Sequence, residues 1–294
     1  MCDLTVYLVN YNNAEYLEDA IASLCHQTYK FSEVICFDDG SEDGSGEILS
    51  SFAAKFGWDF IGTENRGLVN IASHAMSISQ GRFILRLDSD DMLEPNALQL
   101  LIDEQCRSNA DIVYGNFTEV DARGKLLRDV KSHSGEEFTP DFPAHGACTL
   151  INRAKVIEYG GYTEGIDCQD GVDIWLLALT KKFNISHVRE NIFSYRVHGL
   201  NLTRNRKRLF ESRRKIFARH AKRLVEEFPS ISLVFPIRGA EISSAKDEFL
   251  KRIHCAVELF ESVGITINQK VVITSAHDEL ISDALFNGFE VLSR

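Results

Sequence analysis

The sequence lacks a hydrophobic run long enough to cross a membrane, since no stretch approaches the roughly 18 apolar residues that a spanning helix needs. It also lacks a basic N-terminal segment: MCDLTVYLVNYNN has the pattern of a strand, so we expect no cleaved signal peptide. No C-x-x-C pair occurs, and the 7 cysteines are scattered, which favours reduced thiols over disulfides or a zinc site. These absences predict a cytoplasmic globular protein.

Positive charge is scarce outside one segment. The 294 residues carry a net charge of -11, yet ten of the 32 Lys and Arg residues lie between Arg204 and Arg223. A chain this acidic elsewhere is a poor general binder of nucleic acid, and an anionic ligand would need a local source of positive charge. We predict a helix over 205–227 whose charges pair with the acidic remainder of the protein. The alternative is peripheral contact with an anionic membrane through 204–223.

Strand and helix patterns alternate through the first part of the chain. Helical patterns at 15–25, 46–56, 68–79 and 96–107 separate apolar strand runs at 4–9, 34–37, 58–61, 83–87 and 111–114. These strands are hydrophobic throughout rather than alternating, which is typical of a parallel sheet covered on both faces. The fold class is therefore predicted as α/β, with a mostly parallel sheet flanked by helices.

The remaining patterns divide the chain into a large domain, a linker and a small segment. A polar stretch at 125–147 predicts a loop or hairpin, a helix is predicted at 172–182, and two strands at 185–188 and 192–195. After the basic helix, the last part of the chain has a βαβαβ pattern typical of a small Rossmann-like unit. The predicted boundaries are a domain at 1–203, a basic helical linker at 204–229 and a partial Rossmann-like segment at 230–294.

Acidic residues cluster where two predicted strands end. Asp38 and Asp39 follow the second strand, and Asp88, Asp90 and Asp91 follow the strand in RFILRLDSDD. In an open α/β sheet, ligands bind outside the carboxyl ends of the strands. Three carboxylates within four residues repel one another unless a cation such as Mg²⁺ or Mn²⁺ screens them and bridges to substrate phosphates. The alternatives are a helix-capping turn for the second cluster and an Asx-turn for the first.

Several spaced motifs occur in a fixed order. They are VYLVNYNNAEYLEDAIASLCHQTY, VICFDDGSEDGS, ENRGL, GRFILRLDSDDMLEP and DIVYG, followed by NRAKVIEYGGY, QDGVDIWLLAL and SYRVHGLNLT. Over roughly residues 3–205, this series resembles the family-2 glycosyltransferases of the GT-A fold. The resemblance implies an inverting transferase of polysaccharide or glycoconjugate synthesis. It also implies a nucleotide-diphosphate sugar donor, which we expect to be UDP-linked, a glycan or lipid-linked acceptor, and Mn²⁺ or Mg²⁺.

The resemblance implies a role for residues near the first two strands. Val9, Asn10 and Tyr11 would line the nucleobase of the donor, where Asp39 would contact the base and Asp38 would lie beside it. A carboxylate suits this role because it accepts hydrogen bonds from a ring N–H or from ribose hydroxyls. These five residues are the predicted base-binding set.

The resemblance implies a second set of residues around the metal and the diphosphate. Asp88 and Asp90 would form the D-x-D pair, with Asp90 as the main metal ligand and Asp91 adjacent. His198 would help to hold the metal and diphosphate. Arg66 would grip the diphosphate, since the usual basic residue is absent from the next helix. The metal would also supply the positive charge that the acidic chain lacks.

Asp170 is predicted to be the catalytic base that takes the proton of the acceptor hydroxyl. It directly follows Gln169 and is separated by two residues from Asp173, so Asp173 stays open as the alternative base. The structural alternatives are an N-cap role for Asp170 and a stabilising charge in the first helical turn for Asp173. Trp175 is predicted to be a core residue rather than a sugar-stacking one.

The C-terminal segment resembles, more weakly, the first half of the cytidylyltransferases that activate nonulosonic acids. Its glycine-rich CTP loop is replaced by 240–244, so we expect a degenerate packing or docking module unless Arg238 and Lys246 form an intact nucleotide pocket. This segment keeps a sugar nucleotidyltransferase open as an alternative function for the chain. A non-catalytic sugar-nucleotide binding protein is a further alternative.

Overall fold

The computed structural model describes residues 3–131, 145–199, 206–227, 230–237, 256–262, 264–274 and 290–293. The chain divides into two compact units, Met1–Arg213 and Arg214–Arg294. The named elements are, in order, β1 (Leu4–Asn10), α1 (Leu17–Cys25), β2 (Glu33–Asp38), α2 (Ser45–Phe56), β3 (Asp59–Gly62), α3 (Leu68–Ile78), β4 (Phe83–Asp88), β5 (Met92–Leu93), α4 (Ala97–Ser108), β6 (Ile112–Asp121), β7 (Leu126–Val130), β8 (Leu150–Asn152), α5 (Arg153–Glu158), α6 (Asp170–Thr180), β9 (Ile185–Val197), α7 (Arg206–Glu227), β10 (Ser230–Ile237), β11 (Thr266–Thr274) and β12 (Glu290–Ser293).

The first half of the main sheet is parallel. Its strands lie in the order β3-β2-β1-β4, and each neighbouring pair runs in the same direction. Every residue of β1 is buried, as expected for a strand covered on both faces. On one face, alternate residues of β1 and β4 join the core beneath α1, whose buried residues recur at helical spacing: Leu17, Ala20, Ile21 and Leu24. The prediction of alternating strands and helices is confirmed here.

The second half of the sheet is mixed. β8 inserts between β4 and β6 and is antiparallel to both, while β9 runs parallel to β6. β7 forms an antiparallel pair with β6, so the predicted polar stretch begins as a hairpin. β5 is a two-residue strand that pairs with β9 at the outer end of the sheet order. The predicted α/β class is confirmed, although parallel pairing extends less far than predicted because β8 reverses the direction next to β4.

Two elements differ in detail from the sequence predictions. The two strands predicted at 185–188 and 192–195 form the single strand β9, because a register shift opposite Gly115 and Asn116 accommodates the residues between them. β3 was predicted as a buried strand, but Phe60 is 37% exposed. β3 is the last strand of the described sheet on its side, and three of its four residues are exposed.

The second unit contains a small parallel sheet in the order β10-β11-β12 and a helical segment at 256–262. The strand pattern predicted for this part of the chain is confirmed at these three strands. Arg238, Lys246 and the loop 240–244, on which the cytidylyltransferase resemblance depends, lie outside the described residues. Arg204, at the start of the predicted basic segment, also lies outside them. Across the described ranges, no helix combines the length and the apolar character needed to cross a membrane.

Candidate functional site

The sheet brings the two acidic clusters to one edge. Asn10 at the end of β1 is aligned with Asp38 on β2, and Val9 is aligned with Asp88 on β4. Because these three strands are parallel, the residues that follow them leave the sheet on the same side. The sequence prediction that distant carboxylates meet at one strand edge is therefore confirmed for Asp38 and Asp88.

Asp38 and Asp39 are nearly inaccessible and organise the loops around them. Asp38 accepts hydrogen bonds from Asn10 Nδ2 at 2.7 Å and from Ser41 Oγ at 2.6 Å. Asp39 accepts a hydrogen bond from Thr63 Oγ1 at 2.9 Å, and it also accepts from the backbone N–H groups of residues 66 and 67, which lead into α3. These carboxylates thereby hold the loops that follow β2 and precede α3 next to the strand edge. Contact between Asp39 and a nucleobase stays a prediction.

The other predicted base-binding residues differ in exposure. Val9 and Asn10 are buried, and the Asn10 amide also donates to Ser45 Oγ at 2.8 Å. Tyr11, in contrast, is 46% exposed directly after β1, so its ring is free to contact a ligand. The Arg66 side chain is exposed, while its backbone N–H belongs to the Asp39 loop.

Asp90 and His198 lie together although they are 108 positions apart in the sequence. His198 Nε2 is 2.9 Å from Asp90 Oδ2, and both side chains are largely buried. The His198 ring packs against Tyr16, with 5.1 Å between the ring centroids. The structure thus brings together two of the three predicted metal ligands.

Arg196 supports the acidic loop from behind, and the sequence analysis did not identify it. Its buried guanidinium donates to the backbone carbonyl of Asp90 at 2.9 Å and to the carboxylate of Asp19 at 2.9 Å. Its backbone N–H donates to Asp91 Oδ1, also at 2.9 Å. Asp91 is 1% exposed, and among the residues that the structure describes its Oδ2 has no hydrogen-bond partner. Burial raises the pKa of Asp91 well above its usual value, and the neighbouring Asp90 and Asp88 carboxylates add to the rise.

Arg86 joins the D-x-D loop to the predicted base, and it too was missed. Its Nε lies 2.8 Å from Asp88 Oδ1, and its Nη1 forms an ion pair with Asp170 Oδ2. Burial raises the pKa of Asp88 to about 6; the Arg86 charge opposes this rise, whereas the Asp90 and Asp170 carboxylates reinforce it. A charged residue inside the apolar run FILRL was the available signal, since an arginine in a buried strand needs a carboxylate partner.

Asp170 and Asp173 have different surroundings on α6. Asp173 is 1% exposed and accepts from the Thr163 backbone N–H at 2.5 Å and from Thr163 Oγ1 at 2.7 Å. Asp170 is the first residue of the helix rather than its N-cap, which is Gln169. Trp175 is 1% exposed, so its predicted core position is confirmed. Asp173 is thus held by Thr163, whereas Asp170 forms an ion pair with Arg86.

The acidic edge carries only part of a metal coordination shell. In the described ranges, no group of three or more His, Cys, Asp or Glu side chains is placed so that it could hold a metal ion. The residues nevertheless suit a divalent cation bound jointly with a ligand, because Mg²⁺ sites often contain one or two carboxylates plus phosphate oxygens. Asp88, with its raised pKa, and Asp90, beside His198, provide such carboxylates.

Comparison with known sequences identifies the family. The model of Glycosyl transferase family 2 matches residues 5–160, just over half of the chain. Chondroitin synthase of Escherichia coli is 28% identical over 203 residues, covering 67% of this chain and 29% of that protein. Glycosyltransferase GlyG of Streptococcus pneumoniae is 32% identical over 120 residues, covering 40% of each chain. The chain spans 29% to 40% of the length of these and two other curated relatives.

Solved structures agree on the fold. The S. aureus TarS structure 1–349 in complex with UDP-GlcNAc superposes with a TM-score of 0.63 at 16% identity, covering 89% of this chain and 81% of that one. The UDP complex of the same protein gives a TM-score of 0.62 at 17% identity. At these identities the likeness shows the fold alone, which is the predicted GT-A arrangement. Together with the family match, it shows that the chain belongs to the family-2 glycosyltransferases.

Proposed function

We propose that this protein transfers a sugar from a nucleotide-diphosphate donor to a hydroxyl acceptor during polysaccharide or glycoconjugate synthesis. The observation that carries the proposal is the meeting of Asp88, Asp90 and Asp170 around one strand edge. The family membership supports glycosyl transfer, and relatives named chondroitin synthase and hyaluronan synthase support a polysaccharide product. The TarS complexes with UDP and UDP-GlcNAc support a UDP-linked donor.

The donor would lie across the carboxyl ends of β1, β2 and β4. We infer that the exposed Tyr11 ring contacts the nucleobase, while Asn10, Asp38 and Asp39 shape the surface beneath it. The exposed Arg66 side chain extends from the loop that Asp39 holds and would neutralise phosphate charge. This assignment agrees with the rule that ligands of α/β sheets bind outside the carboxyl strand ends.

Mn²⁺ or Mg²⁺ would be held by Asp88 and Asp90, with His198 beside Asp90. The cation would offset the negative charge of the leaving diphosphate. Asp91 lies behind this pair and would contribute negative charge without direct coordination, since its carboxylate is 1% exposed and held by the Arg196 backbone. The buried carboxylates repel one another in the absence of positive charge, which favours cation uptake.

Asp170 would act as the base of a single in-line displacement. The acceptor oxygen forms a bond with the anomeric carbon, its proton passes to Asp170, and the electron pair of the breaking C–O bond leaves with the diphosphate. One base is enough, because no covalent sugar intermediate forms, and the configuration inverts. Asp173 is less suited to the role because Thr163 engages both of its oxygens.

A thermal-shift screen of UDP-, GDP-, CDP- and TDP-sugars, each with and without Mn²⁺, tests the donor. A matching donor at a hundred times its Kd stabilises the fold by about 2.7 kcal/mol, and we expect EDTA to abolish that shift. The Asp170→Asn variant should keep the donor shift and lose transfer. Donor binding without transfer by the wild type would instead favour a non-catalytic binding protein, and indifference to every donor would refute the proposal.

A further inference from the structure

Arg86 is a buried charge that the proposed reaction does not use. Its side chain is 5% exposed and lies in β4 between Leu85 and Leu87, which belong to the hydrophobic core. Burying a guanidinium costs several kcal/mol unless its partners are ionised and well oriented. A residue of this kind in the centre of the sheet therefore needs a structural or functional reason.

The guanidinium of Arg86 is divided between two carboxylates from different elements. Toward Asp88, Nε lies 2.8 Å from Oδ1, and Nη2 donates to Oδ2 at 3.3 Å. Toward Asp170, at the start of α6, Nη1 donates to Oδ2. The planar fork of arginine suits this task, because it fixes the direction of each partner as well as its charge. One side chain thus sets the position of the D-x-D acid relative to the base.

Polar groups on three other segments interact electrostatically with the pair. Tyr7 is aligned with Arg86 on the neighbouring strand, and its hydroxyl is hydrogen-bonded to that of Tyr162. Both phenols are buried, and burial raises their pKa values, so they stay neutral donors beside the Asp170 carboxylate. His145 is close enough for the Arg86 charge to add to the effect of burial, and together they lower its pKa. The described chain places Asp170 Oδ2 against Arg86 and gives Oδ1 no hydrogen-bond partner.

The backbone at Gly146 closes the remaining side of the pair. A β-carbon added there would collide with Asp170 Oδ2, lie 3.1 Å from its Cγ and lie 3.4 Å from Arg86 Nη1. The adjacent chain is tied to β4, since the backbone N–H of Cys148 donates to the carbonyl of Arg86 at 2.7 Å. Only a residue without a side chain allows this Asp170 position. The close approach is therefore a second constraint on Asp170, independent of charge.

We propose that Arg86 is a positioning residue for the transfer reaction. Together with the Gly146 backbone, Arg86 holds Asp170 by its Oδ2 atom and leaves Oδ1 to receive the acceptor proton. This inference rests on the proposed function. When Asp170 alone is displaced, the expected signature is a loss in turnover rather than in donor binding, because a base displaced by about 1 Å costs on the order of a hundredfold in rate.

Three variants test the inference. Gly146→Ala moves Asp170 without touching the donor side, so we expect kcat to fall by about a hundredfold with the donor KM within about threefold of wild type. Arg86→Met should lower kcat at least as much. Arg86→Lys keeps the charge but loses the fork, and we expect it to recover about tenfold of that loss. The control is Gly62→Ala, whose added methyl meets only Phe60 at 3.6 Å and which should behave as wild type.

Donor-induced thermal shifts, measured without acceptor, separate positioning from general damage. Gly146→Ala should keep the wild-type shift with Mn²⁺ and the donor. Wild-type turnover in both Gly146→Ala and Arg86→Met would overturn the inference. It would also be overturned if the loss of turnover were matched by an equal loss of donor binding in Gly146→Ala. A wild-type enzyme that transfers no sugar refutes the proposed function itself, which is a distinguishable result.

Discussion

Replacing Asp173 with alanine separates the two aspartates of α6. Asp173 accepts two hydrogen bonds from Thr163 and is 1% exposed, so truncation removes the acceptor of both buried bonds. Each unpaired buried donor costs about 1–3 kcal/mol, and removal of a first-turn acid adds about 0.3–1 kcal/mol. We therefore expect Asp173→Ala to lower the free energy of unfolding by about 3 kcal/mol or more. For a unit of this size, that loss corresponds to a fall in Tm of about 6–12 °C.

The assay is thermal unfolding combined with turnover per folded molecule. Asp173→Ala should retain turnover at a temperature where it is folded, while Asp170→Asn should lose turnover even at a temperature where it is folded. Asp173→Asn preserves one acceptor oxygen and should lose roughly half as much stability, which keeps the test usable if the alanine variant fails to fold. An Asp173→Ala protein with wild-type stability and no turnover would identify Asp173 as the base and refute the reasoning.

Three further predictions concern the acidic edge. Arg196→Met removes the guanidinium that donates hydrogen bonds to the Asp90 carbonyl and to Asp19. We expect the free energy of unfolding in urea to fall by about 2–4 kcal/mol and the Mn²⁺-dependent binding of the sugar donor to weaken. Unchanged binding of the sugar donor would contradict the supporting role of Arg196. The pKa of Asp88 is raised to about 6 in the folded state, so between about pH 4 and 6 the folded protein binds a proton that the unfolded chain releases, and stability falls as the pH rises through this range. Asp88→Asn should flatten this part of the pH–stability curve, measured in the presence of a chelator. An unchanged slope would contradict the raised pKa of Asp88. Gly46→Ala places a β-carbon 2.7 Å from Asp38 Oδ2. We expect this contact to lower the free energy of unfolding by about 1–3 kcal/mol and therefore to lower the Tm by several degrees. A wild-type Tm would show that the hydrogen bonds of Asp38 rearrange at little cost.

The sequence was sufficient for the elements whose signals are local. The mainly apolar runs of β1, β2 and β4 and the helical spacing of α1 predicted a covered parallel sheet. Asp88 and Asp90 were recognisable because they directly follow a buried strand. The exposure of β3 and the reversal at β8 were not predictable in this way, because each depends on where a strand lies in the sheet order rather than on its own residues.

The site residues that the sequence missed depend on distant partners. Arg86 and Asp170 are 84 positions apart, and the Arg196 backbone meets Asp91 across 105 positions. Nothing in the spacing of these residues predicts such pairs. A charge within an apolar strand indicates that a partner exists, but only the folded chain shows which carboxylate it is. The same holds for Gly146, whose lack of a side chain acquires meaning only beside Asp170.

The long sequence separations at the acidic edge have a consequence for biosynthesis. The family match ends at residue 160, but the carboxylate loop is completed by Asp170, Arg196 and His198. A nascent chain that has emerged only as far as the match would contain the strand edge without Asp170, the proposed base, and without Arg196. We expect this edge to assemble late during translation, since contacts that close long loops form slowly. Any excised catalytic fragment would therefore have to extend beyond residue 198.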